Sequence, residues 1–200
     1  MGQGIYALPN DTMERDASLA TLMTLVPGLR VGGKTALAWR GIRHNLAFKE
    51  TLALWGSKPA KLPAWFTTQF PAHYQATQLF DETTPSALGI APLPSGRPDV
   101  PVSTPERAVL ELLSDVGKRQ KLEETRHLLE SAGALRQPVL DELLSHLTRI
   151  KVARLAYDLA NELELPWKAV AHKHSQRLGG GARWVAVGKM GERLDLKRTP

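Results

Sequence analysis

The chain of 200 residues contains no cysteine, which excludes disulfides and thiolate metal sites and fits a reducing compartment. It also lacks a long hydrophobic run. The longest uncharged apolar-rich stretch, Ala17 to Leu29, is too short to span a membrane and carries Thr21, Thr24 and Pro27. Residues 1–16, "MGQGIYALPNDTMERD", show no basic segment followed by an apolar core, so no secretory signal is expected. No internal repeat or low-complexity tract is present. These absences point to a soluble, cytoplasmic protein with no membrane partner. The length suits one ordinary domain or two small ones.

Apolar residues make up 42% and charged residues 23%, a globular composition. The net charge of +6 is unevenly placed. Residues 149–200 hold 11 Lys/Arg against 5 Asp/Glu, whereas residues 1–148 hold 15 of each. A basic final quarter is a footprint for an anionic partner such as nucleic acid, or simply a solvated helix face with a positive tail.

The pattern predicts an α+β protein. "ERDASLATLMTLVPG" reads as a helix with Leu19, Leu22, Met23, Leu25 and Val26 on one stripe, closed by Pro27-Gly28. A turn and a second helix follow in "VGGKTALAWRG". "LAFKETLALWG", "AWFTTQF" and "YQATQLF" read as strands of a small mixed sheet. Residues 83–101 are proline-rich, and mark a loop and the best boundary between a strand-containing part (1–101) and a helical part (102–200). Beyond it come five helical segments: "STPERAVLELLSDV", "KLEETRHLLESAG", "QPVLDELLSHLTRI", "KVARLAYDLANELEL" and "PWKAVAHKHSQRLGGG". The chain closes on a hairpin, "RWVAVGKMGERLDLK", turning around Gly188 to Gly191.

One string invites a nucleotide. From Gly28 to Thr35 the chain fits G-x-x-x-x-G-K-[ST]. A phosphate loop also requires a strand leading in and a helix leading out, so that backbone N–H groups converge on the phosphates. Here the segment before Gly28 reads as a helix, and no second motif supplies an acidic metal ligand. The preferred reading is a tight turn at Gly32-Gly33 with Lys34 and Thr35 in the first helical turn, Lys34 meeting at most a weak anion. A nuclease triplet is the next candidate: "DLK", Asp195 to Lys197, with Asp99 as the further carboxylate. Three letters near the chain end make a poor preorganised site. His172 and His174 are two apart on a helix, on different faces, where ligand pairs need three or four. Trp55, Trp65 and Trp184 read as core or interface anchors. No catalytic residue, metal site or cofactor is expected.

Five blocks carry a family resemblance: "PGLRVGGKTALAWRGIRHNL" at 27–46, "LALWGSKPAKLPAWF" at 52–66, "VSTPERAVLELL" at 102–113, "KVARLAYDLANELELPWKAV" at 151–170 and "LGGGARWVAVGK" at 178–189. In order and spacing they resemble the AbiEi-type antitoxins of bacterial type IV toxin–antitoxin, or abortive infection, systems. The resemblance implies an N-terminal winged helix-turn-helix that represses its own operon. It also implies a larger region that counteracts a nucleotidyltransferase-like toxin without a stable complex. "MGQGIYAL", residues 1–8, resembles the end of the wing, so the helix-turn-helix is expected to be missing. The function expected is that of a non-enzymatic antitoxin. The alternatives are a nucleic-acid-binding regulator using the basic C-terminal surface and a nuclease-like fold. Arg177, Arg183, Lys189, Arg193, Lys197 and Arg198 form the candidate anion-facing set, with Lys34 beside them.

Overall fold

The computed structural model describes residues 13–43, 50–178 and the strands at 184–187 and 193–196, the last two as backbone. The fold is α+β, as expected. Helix α1 (Arg15–Leu25) buries Leu19, Leu22 and the following Val26, while Leu25 points outward, 49% exposed. Gly28, at φ +72, turns the chain back into the short strand β1 (Arg30–Val31). Helix α2 (Gly33–Trp39) follows and ends before Gly41, at φ +87.

A five-stranded mixed sheet has the order β3-β2-β1-β5-β4. Strand β1 pairs antiparallel with β2 (Leu52–Trp55) and parallel with β5 (Val102–Ser103), through Val31 opposite Leu54 and Val102. On one edge β3 (Ala72–Gln75) runs parallel to β2, and on the other β4 (Ile90–Ala91) runs antiparallel to β5. The central strand thus comes from the start of the chain; one neighbour, β2, follows after a single helix, and the other, β5, lies far along the chain. The proline-rich stretch is mostly loop and contributes only β4.

Two of the expected strands fall elsewhere. "AWFTTQF" forms helix α3 (Ala64–Gln69) instead of a strand. Pro63 opens it at φ −62, and Phe66 and Phe70, one turn apart, stack at 5.4 Å with Phe66 buried. The turn brings two aromatic rings onto one face, and that packing overrides the strand preference of its threonines. "YQATQLF" supplies only the end of β3, and its Phe80 makes an isolated bridge to Leu147.

All five expected C-terminal helices are present: α4 (Pro105–Asp115), α5 (Leu122–Glu130), α6 (Gln137–Ser145), α7 (Ile150–Glu162) and α8 (Lys168–Leu178). Helix α4 starts with Thr104 flanking and Pro105 in its first turn, where a missing N–H costs nothing. From Glu106 to Asp115 every residue of it is buried, so α4 is the central helix, packed against α2, α6 and α7. Strands β6 (Trp184–Val187) and β7 (Arg193–Leu196) form the expected antiparallel hairpin, with β7 against α7. One continuous core links Leu19 and Leu22 of α1, Leu54 and Trp55 of β2, and Leu110 and Leu113 of α4. No helix among the described residues is long and apolar enough to cross a membrane.

Candidate functional site

The centre of the molecule is a buried carboxylate. Glu111 of α4 is fully enclosed. Its Oε1 accepts from Arg30 Nε at 3.1 Å, Arg30 Nη2 at 2.8 Å and Arg107 Nε at 3.3 Å. Its Oε2 accepts from Ser103 Oγ at 2.9 Å and from the Gly33 backbone N–H at 2.9 Å. Burying a carboxylate is costly unless its lone pairs are met, and here each oxygen has at least two donors. Arg107 spends Nη1 on the Leu88 carbonyl at 2.7 Å and lies 4.8 Å over the Phe80 ring. Burial, then the neighbouring Arg30, pushes its pKa down to about 10, so it stays charged at neutral pH.

This geometry decides the glycine-rich string. Helix α1 runs into it, as the sequence predicts, the two-residue β1 lies inside it, and helix α2 does leave it. Yet the N–H at the helix start is given to Glu111, an anion from the chain itself. Gly32 has no room for a side chain, because a Cβ there would meet Glu111 Oε2 at 2.3 Å and Trp55 Cδ1 at 2.6 Å. Thr35 Oγ1 accepts the Ala53 N–H at 3.0 Å, tying α2 to β2. Lys34 pairs with Glu124 of α5. The whole string is thus engaged in joining α2, β2, α4 and α5.

Above this network lies a cleft of about 780 Å³. Its polar lining includes Arg15, Arg43, Glu50, Asp115, Arg119 and Glu124; Ala38, Trp39, Ile42, Leu93, Leu112 and Leu128 add apolar surface. Trp39 Nε1 donates to Glu50 at 2.8 Å, and Arg15 lies 4.3 Å over its ring. Arg119 bonds Gln75 and Asp115. His73, also in the lining, has its pKa lowered by burial and by Arg119, which leaves a neutral imidazole there. The cleft residues come from elements and loops scattered from α1 to α5, which no local pattern reveals. The one signal was Lys34, singled out for its place at a helix start.

Of the anion-facing set, Arg177 is described in full. Its Nη2 donates to the carbonyls of Leu144 at 2.7 Å and Leu147 at 3.2 Å, and its Nε to His174 Nδ1 at 3.3 Å. It closes the C-terminal end of α6 from α8. Arg193 lies in β7, described as backbone only. Arg183, Lys189, Lys197 and Arg198 lie outside the described residues, as do the hairpin turn and residues 1–8.

The remaining motifs are separated. Asp99 forms a two-point pair with Arg97, and Asp195 sits in β7. His174 Nε2 bonds Asp141 at 2.6 Å, while His172 packs on the Tyr157 ring. Among the described residues no group of three His, Cys, Asp or Glu is placed to hold a metal. Trp55 is fully buried and Trp65 half-buried, both against the core.

The comparisons fit this picture. A family model described as "Transcriptional regulator, AbiEi antitoxin, Type IV TA system" matches residues 49–197. A second, for the AbiEi antitoxin N-terminal domain, matches residues 1–48. That match overturns the expectation that the N-terminal module is missing. Within it, residues 13–43 form α1, β1 and α2, and β1 is the middle strand of the sheet. The chain is similar in fold to the crystal structure of the RV2827C protein from Mycobacterium tuberculosis, with 14% identity and a TM-score of 0.57. The match covers 82% of this chain and 58% of that one. No curated protein matches the sequence.

Proposed function

Because the chain belongs to the AbiEi antitoxin family of type IV toxin–antitoxin systems, we propose that it is the antitoxin of such a pair. It counteracts a nucleotidyltransferase-like toxin encoded beside it, in the cytoplasm, without catalysis of its own. One observation carries this reading: the two family models together cover residues 1–197, N-terminal domain and main region in the family's order. The geometry agrees, because the only nucleotide-like string is occupied by Glu111, Thr35 contacts and the Lys34 pair. Co-expression with the neighbouring toxin, scored for growth, tests it.

A second reading has its own support. The entire charge excess lies in residues 149–200. If Arg183, Lys189, Arg193, Lys197 and Arg198 face DNA or RNA phosphates, affinity falls steeply and linearly in a log–log plot against salt. Reversing three of them to Glu then abolishes function while thermal stability stays within a few degrees. Activity that survives the reversal would mean the excess charge serves solvation alone.

A further inference from the structure

The cleft over α2 has a use that the antitoxin reading does not supply. We infer that it is a binding site for a small amphipathic anion, an acidic head group on an apolar body. Four cations from separate parts of the chain converge on it: Arg15, Lys34, Arg43 and Arg119. The three carboxylates among them are already engaged. Glu124 meets Lys34 and accepts from Gln120 at 3.0 Å; Asp115 accepts from Gln75 at 2.9 Å and Arg119 at 3.2 Å. Glu50 accepts from Trp39 and pairs with Arg15 at 3.6 Å. Arg43 is different. It gives Nε to the Ala38 carbonyl at 2.7 Å, and among the described residues neither Nη has a partner. A guanidinium with its fork free, in a lining of net charge +1, is shaped for a carboxylate, sulfonate or phosphate.

The rest of the lining supplies the apolar half. Ala38, Trp39, Ile42, Leu93, Leu112 and Leu128 all border the cleft, whose volume falls in the range of small-molecule sites. Lys34 and Arg119 are about half exposed while their carboxylate partners are largely covered, so an incoming anion reaches the cations from the solvent side and leaves both pairs in place. The cleft takes residues both from 1–48 and from 49–197. An occupant therefore touches both matched regions at once.

Two fluorescent probes that share an anilinonaphthalene body and differ by one sulfonate group test this on the full chain: 8-anilino-1-naphthalenesulfonate and the neutral N-phenyl-1-naphthylamine. The sulfonate is expected to bind one-to-one, about tenfold tighter than the neutral probe, and Arg43→Ala removes that difference. Ala38→Phe, which fills the cleft, abolishes saturable binding in a protein that still melts like the wild type. Displacement by dodecanoate or by dodecyl phosphate identifies the head group as carboxylate or phosphate. Equal binding of the two probes, an unchanged Arg43→Ala variant, or displacement by neither anion would overturn the inference. None of these readouts depends on growth rescue, so this proposal and the antitoxin reading fail separately.

Discussion

The side chain of Glu111 accepts the backbone N–H of Gly33 at 2.9 Å, across 78 residues of sequence. That bond closes the helix start that a phosphate loop would leave open, and it fastens the first third of the chain to the central helix.

Removing the carboxylate strands two buried guanidiniums. Glu111→Ala is expected to destabilise the fold by about 3–5 kcal/mol, lowering Tm by about 10 °C for a chain of this size. Lys34→Ala breaks only the exposed pair with Glu124 and costs under about 1 kcal/mol. Thermal melts followed by circular dichroism separate the two. Similar shifts would mean the buried network contributes no more than a surface pair.

Gly32→Ala places a methyl group against Glu111 and Trp55, and is expected to cost about 1–3 kcal/mol. Gly133→Ala, where nothing lies within 4 Å of the new Cβ, is its control and stays near neutral. Denaturant midpoints with an unchanged m-value check both.

Stability also depends on acid through Glu106. Burial raises its pKa, but the two-point bond from Arg136 and the Thr104 hydroxyl at 2.7 Å outweigh burial and hold it at about 2, below the ordinary 4.5. Its contribution is full above the unfolded value of 4.5 and disappears as pH falls towards 2. Glu106→Gln is expected to flatten the stability curve in that window and to cost about 1–2 kcal/mol at pH 7, given the exposed arginine. A variant with the wild-type acid limb would contradict this.

His174 is held between Asp141 and Arg177. Burial lowers its pKa against the pull of Asp141, with Lys173 and Arg177 acting in the same direction as burial. It is expected to be neutral at pH 7, Nε2–H donating to Asp141 and Nδ1 accepting from Arg177. The unfolded imidazole takes up a proton that the folded one refuses, so this group lowers stability as pH falls through 6.5. Nitrogen-15 shifts of the ring report the tautomer. An imidazolium at pH 7 would refute it.

Much of this was legible in the sequence, because helix periodicity and punctuation are local. Thr104-Pro105, Gly41 and the hairpin alternation each placed an element correctly. The order of the sheet was not legible. A two-residue strand such as Arg30–Val31 has no period to detect, and its place between β2 and β5 is set by pairing over long separations. Glu106, Arg107 and Glu111 are charged residues within a helix, and only burial of α4 from all sides makes them an ion network. The cleft stayed hidden for the same reason, since Arg43 and Arg119 meet only after the sheet has formed. "AWFTTQF" failed because two phenylalanines one helical turn apart outweighed strand-forming threonines.

The most direct measurement is growth of cells carrying the neighbouring nucleotidyltransferase-like toxin, with and without this chain, combined with a pull-down from the same culture. Rescue with no toxin on the affinity resin is the expected result for an antitoxin that acts without a stable complex. Failure to rescue, with the chain soluble and folded at the same level as a working control, would contradict the antitoxin account.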